Sequence, residues 1–514
     1  MHDNLQISGI DAAIVCVYFA VVFGIGVYFS RHQKTTQDYF LAGRRVPGWV
    51  VIFAIVGTMI SSTSFVGHSG NVFATNLWAL PQFLMLPVVM VFVSRFVVTF
   101  YRRTVRMSIY DYLEKRFSYP ARAYGAAAFI VSRVVDMSAT LYFLAIPVSF
   151  MTGIHMGWVI VIVGVVTLVM TVAGGIAAVV YADVLQGALL VGGALACLGI
   201  ALFRPEGGPG AVLSTAWDGG KFALGDWSFS WVTDNVWVFL VGGAIWAVQR
   251  YALDQHIVQK YLVAKTDRDA RKSAYFGALA CLPVWGLFFL LGACLWAFFQ
   301  LTGAELPGDV ARVKDNIVPY FIKTQLPVGA IGLVIAALAA AAMSSLDSDL
   351  NSMATVIVDD YYSRLRPRAS DREQLMVGRV AVALLGVSAI VFSLSWIGIG
   401  TAMEFGVQLF SIATAGMLGL FALGALTKRA TARGALIGII ACILFTGWAT
   451  FTSVKLPALD RVLVDLGPFN YGLNPYLIGV FNHAIVFGVG LAASVLFDRK
   501  VARANASLKA VVNS

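Results

Sequence analysis

Gly57-Thr58-Met59-Ile60-Ser61-Ser62-Thr63-Ser64-Phe65-Val66-Gly67-His68-Ser69-Gly70 stands in the middle of an otherwise apolar segment near 48–74. Such a segment is long enough to cross a bilayer, whose hydrocarbon core takes about 20 apolar residues of helix. Small and hydroxylated residues at its midpoint do not belong in lipid, and two readings are open. A helix could break here and turn backbone carbonyls toward a cation, provided the gap lines a protein cavity. Equally, Ser, Thr and Gly let two helices pack closely.

The rest of the chain puts this segment in a membrane. Its 514 residues are 59% hydrophobic and 12% charged, with a mean hydropathy of +0.80, against about 25% charged in a typical soluble domain. That composition excludes an ordinary soluble enzyme. A window of about 19 residues predicts thirteen spans, and the first six lie near 10–29, 48–74, 77–100, 124–152, 157–180 and 182–203. The remaining seven lie near 233–262, 274–302, 328–361, 372–397, 402–426, 433–453 and 474–497. The expectation is an all-α polytopic membrane protein.

The formal charge of +10 would suggest nucleic acid if the basic residues formed one patch, but they sit at span ends. They read as topology, because Lys and Arg near span ends are retained on the cytoplasmic side. Alternate loops and the C-terminal tail hold 26 of the 37 basic residues, among them Arg44, Arg45, Arg102, Arg122, Lys260, Lys265, Arg364 and Lys428. The opposite loops hold seven: Arg204, Lys221, Arg312, Lys314, Lys323, Lys455 and Arg461. The N-terminus is expected outside and the C-terminus in the cytoplasm. Met1 to Asp11 lacks the basic start of a signal peptide, so the first span should be retained. Cys16, Cys197, Cys281, Cys294 and Cys442 all lie in apolar runs without metal-ligand spacing, which predicts packing roles.

Three further stretches place polar groups where lipid would be expensive. The ninth span contains Ala341-Ala342-Met343-Ser344-Ser345-Leu346-Asp347-Ser348-Asp349-Leu350-Asn351-Ser352. Its hydroxyls and carboxylates supply hard oxygen ligands suited to an alkali cation; the alternative is a small-residue packing face, which the carboxylate of Asp347 disfavours. The sixth span opens with Gly174-Gly175 and reaches Asp183 and Gln186. Spacing alone favours reading Asp183 as a carboxylate near a helix N-terminus. The seventh span runs through Gln249-Arg250-Tyr251 to Asp254-Gln255, and Arg250 could bridge Asp254 one turn on or face a solute cavity.

With Asp38-Tyr39-Phe40-Leu41-Ala42-Gly43-Arg44, the Gly-Gly…Asp183…Gln186 segment, Asp254-Gln255…Val258-Gln259-Lys260-Tyr261-Leu262 and Ala341…Ser344-Ser345…Asn351-Ser352, the chain resembles the sodium:solute symporters. That family includes transporters of sugars, sialic acid, proline, pantothenate and iodide. The resemblance implies a leucine-transporter-like fold, a 5+5 inverted repeat of spans two to six and seven to eleven, with the first helix of each repeat interrupted. It implies units at 1–47 (first span and cytoplasmic loop), 48–203 (first repeat), 204–232 (extracellular loop), 233–426 (second repeat) and 427–514 (two accessory helices and tail).

Carried over motif by motif, one sodium ion would be held by the carbonyls of Gly57, Ile60 and Ala341 and the hydroxyls of Ser344 and Ser345. Relatives similar to sialic-acid transporters add a second sodium, which here would draw on Ser344, Ser348 and Asp183, with Asp347 where that pattern has a serine. One ion or two stays open. Solute contacts would come from Ser61, Ser64, Gln82, Arg133, Gln249, Arg250 and Gln408. Arg133 resembles a carboxylate-binding arginine, since a guanidinium grips a carboxylate with two parallel hydrogen bonds. The competing reading is a bridge to Asp136, three residues on. A neutral sugar, held by Gln and Ser groups with stacking by Phe65, Trp78 or Phe410, is the close alternative.

The resulting expectation is sodium-coupled import of a small, carboxylate-bearing solute across a bacterial inner membrane, by a chain working as a monomer within the lipid bilayer. Sodium and the solute are the expected partners, with no nucleic acid. No nucleophile/base pair or ATP-binding loop indicates an enzyme. A sodium-permeable channel would need no solute, and a solute sensor would normally carry an attached signalling domain.

Overall fold

In a computed structural model the described residues are 8–30, 36–104, 107–308, 310, 316–397, 409, 412–413, 416–456 and 461–497. The chain starts with α1 (Gly9–Ser30), then α2 (Gly48–Met59) and α3 (Thr63–Ala74), which meet at a 56° bend. Next come α4 (Pro81–Thr104), α5 (Tyr119–Thr152), α6 (Met156–Val172) and α7 (Gly175–Phe203). The second half opens with α8 (Val236–Leu253), α9 (Gln255–Leu262) and α10 (Asp267–Thr302), followed by α11 (Ala330–Leu365) and α12 (Asp371–Leu394). It ends with α13 (Met417–Leu426), α14 (Ala432–Ser453) and α15 (Leu477–Phe497). Ten of the described helices are long and apolar enough to cross a bilayer, and eleven do if α2 and α3 count as one span. Two shorter apolar helices, α6 and α13, stand beside them. Parts of the expected eleventh span, including Gln408 and Phe410, lie outside the described residues.

Local chemistry sets the helix ends. Thr431 caps α14 by accepting the Gly434 N–H, and Ser370 forms a capping box with Glu373 at the start of α12, satisfying donors a helix N-terminus leaves unpaired. Asn235 caps α8 by accepting from Trp237 and Val238. The boundary between the fifth and sixth spans differs from the hydropathy reading. It falls at Gly175, whose φ of 57° and ψ of −176° form a conformation open to glycine and closed to residues with a Cβ. Asp183 is therefore two turns inside α7 and fully buried, which overturns the helix-terminus reading.

Burial grades from lipid to centre. On α12, Val380, Leu384, Val387 and Val391 are exposed and recur every three or four residues, the stripe a helix presents to an apolar solvent. The stretch of α11 from Val334 to Val356 is, by contrast, buried throughout. α7 packs along α11 and against α2, and this three-helix contact carries the candidate ion site.

Candidate functional site

The polar run of the second span does break. Ile60 takes φ −103° and ψ 109°, an extended residue between two helices, and regular winding resumes at Thr63. The Ser61 carbonyl accepts from the Ser64 and Phe65 N–H groups at 3.0 and 3.3 Å, and Ser62 Oγ donates to the Thr140 carbonyl at 3.0 Å. Phe65 is fully buried with its ring 5.2 Å from that of Phe288, so it packs within the protein.

α11 lies against this break. Ser345 Oγ donates to the Thr58 carbonyl at 3.2 Å and to the Ala341 carbonyl at 3.3 Å. Gly57 lies in the last turn of α2 and Ile60 just past its end, on either side of Thr58, so both helices present oxygen-rich segments to one place. Close approach depends on glycine. A Cβ on Gly57 would lie 2.4 Å from the Asp183 carbonyl oxygen, and one on Gly187 would lie 3.3 Å from Gly57 Cα. Neutral carbonyl and hydroxyl oxygens on this scale suit a monovalent cation, replacing its water without a full opposing charge.

Beside it sits a charged cluster. Asp183 accepts from Ser344 Oγ on one oxygen and from Thr58 Oγ1 at 3.2 Å on the other. Thr58 Oγ1 is 3.3 Å from Ser348 Oγ, so the fold brings Ser344, Ser348 and Asp183 together around Thr58. Asp347 points elsewhere, accepting from Thr171 on α6. The residue the sequence reading missed is Lys260, which forms an ion pair with Asp183, both side chains fully buried. Its place near a span end makes it read, in sequence, as a topology residue. A lysine between Gln259 and Tyr261 in a polar stretch, with a buried aspartate unpaired in the first repeat, is the signal that could have found it.

The arginines read as solute contacts form a second cluster. Arg133, fully buried on α5, pairs with Asp136 at 2.9 Å and reaches Asp254 and Asp349 at 3.5 Å. Arg250 pairs with Asp254 and Asp136, each at 3.0 Å. Both local bridges weighed from the sequence are therefore present. Asp254 also breaks the seventh span, at φ −99° and ψ 111°, and caps α9 by accepting the His256 N–H. A small cleft is lined by Gln249, Arg250, Asp254, Ser132 and Tyr110 among others. Ser61, Ser64, Gln82 and Arg133 do not line it. Gln82 instead meets Tyr476, whose hydroxyl is 3.4 Å from Gln82 Oε1, and Trp78 Nε1 donates to Asn71 at 2.7 Å.

Comparison with known proteins supplies what the geometry alone does not. The chain is 31% identical to the sodium/sialic acid symporter of Proteus mirabilis over 92% of its own length and 93% of that protein's. It is 30% identical to the sodium/glucose cotransporter of Vibrio parahaemolyticus, with 90% and 88% covered. Its fold matches a solved substrate-bound, outward-open Na+-coupled sialic acid symporter at a TM-score of 0.84 and 27% identity, covering 95% of this chain and 98% of that one. The sequence model of the sodium:solute symporter family matches residues 39–442, a stretch that holds both helix breaks and the buried Asp183. The chain thus belongs to the sodium:solute symporter family: it is a multi-pass membrane transporter rather than an enzyme, and sodium is its coupling ion.

Proposed function

We propose that this protein imports a sialic-acid-like, carboxylate-bearing solute with sodium by alternating access, in a bacterial inner membrane. The observation that carries the solute class is the convergence of Arg133 and Arg250 on Asp136 and Asp254 beside the cleft. Two guanidiniums held together by carboxylates form a site in which a solute carboxylate can exchange for an aspartate, with Gln249 of the cleft offering further hydrogen bonds. The similarity to sialic acid symporters supports the same reading.

Thirteen spans in a 5+5 inverted repeat, with the N-terminus outside and the C-terminus inside, account for the paired breaks. Extended residues of nearly equal dihedrals, Ile60 and Asp254, interrupt the first helix of each half. Sodium entering from outside would be held by the carbonyls of Gly57, Ile60 and Ala341 and the hydroxyls of Ser344 and Ser345, drawing α2 and α11 together. Because Ser61 and Ser64 follow the same break, that step completes the solute pocket, and linkage requires the solute to raise sodium affinity in return. A membrane potential of 100 mV adds about 2.3 kcal/mol per transported charge.

The test is uptake into proteoliposomes under an imposed sodium gradient, with labelled N-acetylneuraminate, pyruvate, glucose, inositol and proline. Sodium-dependent uptake of N-acetylneuraminate, lost in Arg133→Ala, is the expected result, whereas equal uptake in potassium or choline would refute the coupling. A neutral sugar is the second reading, favoured because both arginines are already paired with carboxylates and because a glucose cotransporter is among the relatives. Preference for glucose, indifferent to Arg133→Ala, would decide for it.

A further inference from the structure

The oxygens offered for a second sodium already surround a positive charge that the chain carries itself. The Lys260 ammonium sits on Asp183, with both side chains fully buried. Ser344 donates to the other Asp183 oxygen, and Thr58 Oγ1 joins Asp183 at 3.2 Å and Ser348 at 3.3 Å. Asp347 does not enlarge this set, being bonded to Thr171 on α6.

We propose that Lys260 serves as a tethered cation in place of a second sodium, so that each cycle carries one sodium ion, the one held between α2 and α11. A carboxylate at this depth needs a partner, and an ammonium is a compact point charge comparable to an alkali ion, unlike the broad guanidinium fork. A sodium ion seated on Asp183 would stand directly beside the Lys260 ammonium in a poorly screened interior, where their repulsion is large, while Asp347, a further carboxylate near this pair, is turned to Thr171. The lysine also ties α9, below the second helix break, to α7 and through Ser344 to α11. It thereby holds together three elements that meet at the ion cage, without leaving the protein or adding to the charge moved. The inference rests on the symporter reading for its meaning, but its binding test needs no solute.

The experiment is equilibrium binding of radiolabelled sodium to the purified full chain at constant ionic strength, with potassium as the balancing cation. Wild type should saturate at about one sodium per chain and Lys260→Met at about two, while Lys260→Arg, which keeps the charge, should stay at about one. Two sodium ions bound by wild type, or one by a folded Lys260→Met, overturn the proposal. Should Lys260→Met not fold, the flux ratio in wild-type proteoliposomes decides, with one sodium per labelled N-acetylneuraminate expected and two refuting it. Absence of any sodium binding would instead bring down the symporter reading itself, a failure distinct from a count of two.

Discussion

At the scale of single residues, Gly57 makes the most direct demand. Its α-carbon faces the backbone of α7 so closely that a methyl group would sit 2.4 Å from the Asp183 carbonyl oxygen, and backbone cannot yield as a side-chain tip can. Gly57→Ala should therefore lower stability by about 1–3 kcal/mol and displace the sodium cage, read as a reduced thermal midpoint that sodium no longer raises. Ser345→Ala removes a hydroxyl that touches the Thr58 and Ala341 carbonyls. It should raise the sodium concentration for half-maximal uptake about tenfold, roughly 1.4 kcal/mol, with the protein still folded. Unchanged sodium dependence would move the ion elsewhere. The serines and glycine of this site were legible because hydroxyls and small residues at bilayer depth are conspicuous. Lys260 was not, because a basic residue near a span end is indistinguishable in sequence from a topology signal until its distance to Asp183 is known.

At the scale of elements, interruptions matter more than helices. Ile60 and Asp254 adopt almost the same extended conformation, the first announced by its polar run and the second by an aspartate that can cap the helix after it. Gly175 escaped notice because hydropathy is blind to backbone handedness. A third joint lies at the far end of α11, where Arg122 on α5 contacts Asp111, Glu114, Asp359 and Asp360. Ser108 donates to Asp360 at 2.6 Å, and Arg364 bridges to Glu114 at 2.5 Å. Asp360 is fully buried there, so Arg122→Ala leaves a buried charge without its main partner and should cost about 3–5 kcal/mol. Differential scanning fluorimetry in detergent measures this. A variant as stable as wild type would show that the cluster is held by the remaining contacts alone. Like Lys260, Arg122 was read as a loop residue, and the structure gives it a bridging role.

At the scale of the whole molecule, the asymmetry of basic residues predicts which loops face the cytoplasm. With the five native cysteines replaced, Ser228→Cys should react with an impermeant maleimide in intact cells, and Arg268→Cys only after permeabilisation; both positions are exposed. Labelling in the reverse order would invert the topology and the direction of transport proposed above.

The class of molecule, most of its apolar spans, the family and the location of the first break can be read from the order of the amino acids. These follow from solvent compatibility and local composition, which act on contiguous residues and so are written along the chain. The tertiary structure alone decided which buried charges meet. Asp183 and Lys260 are 77 residues apart, and Arg133 reaches Asp349 from another helix. Such pairings depend on how helices rotate and stack against one another, and spacing along the chain carries no record of that.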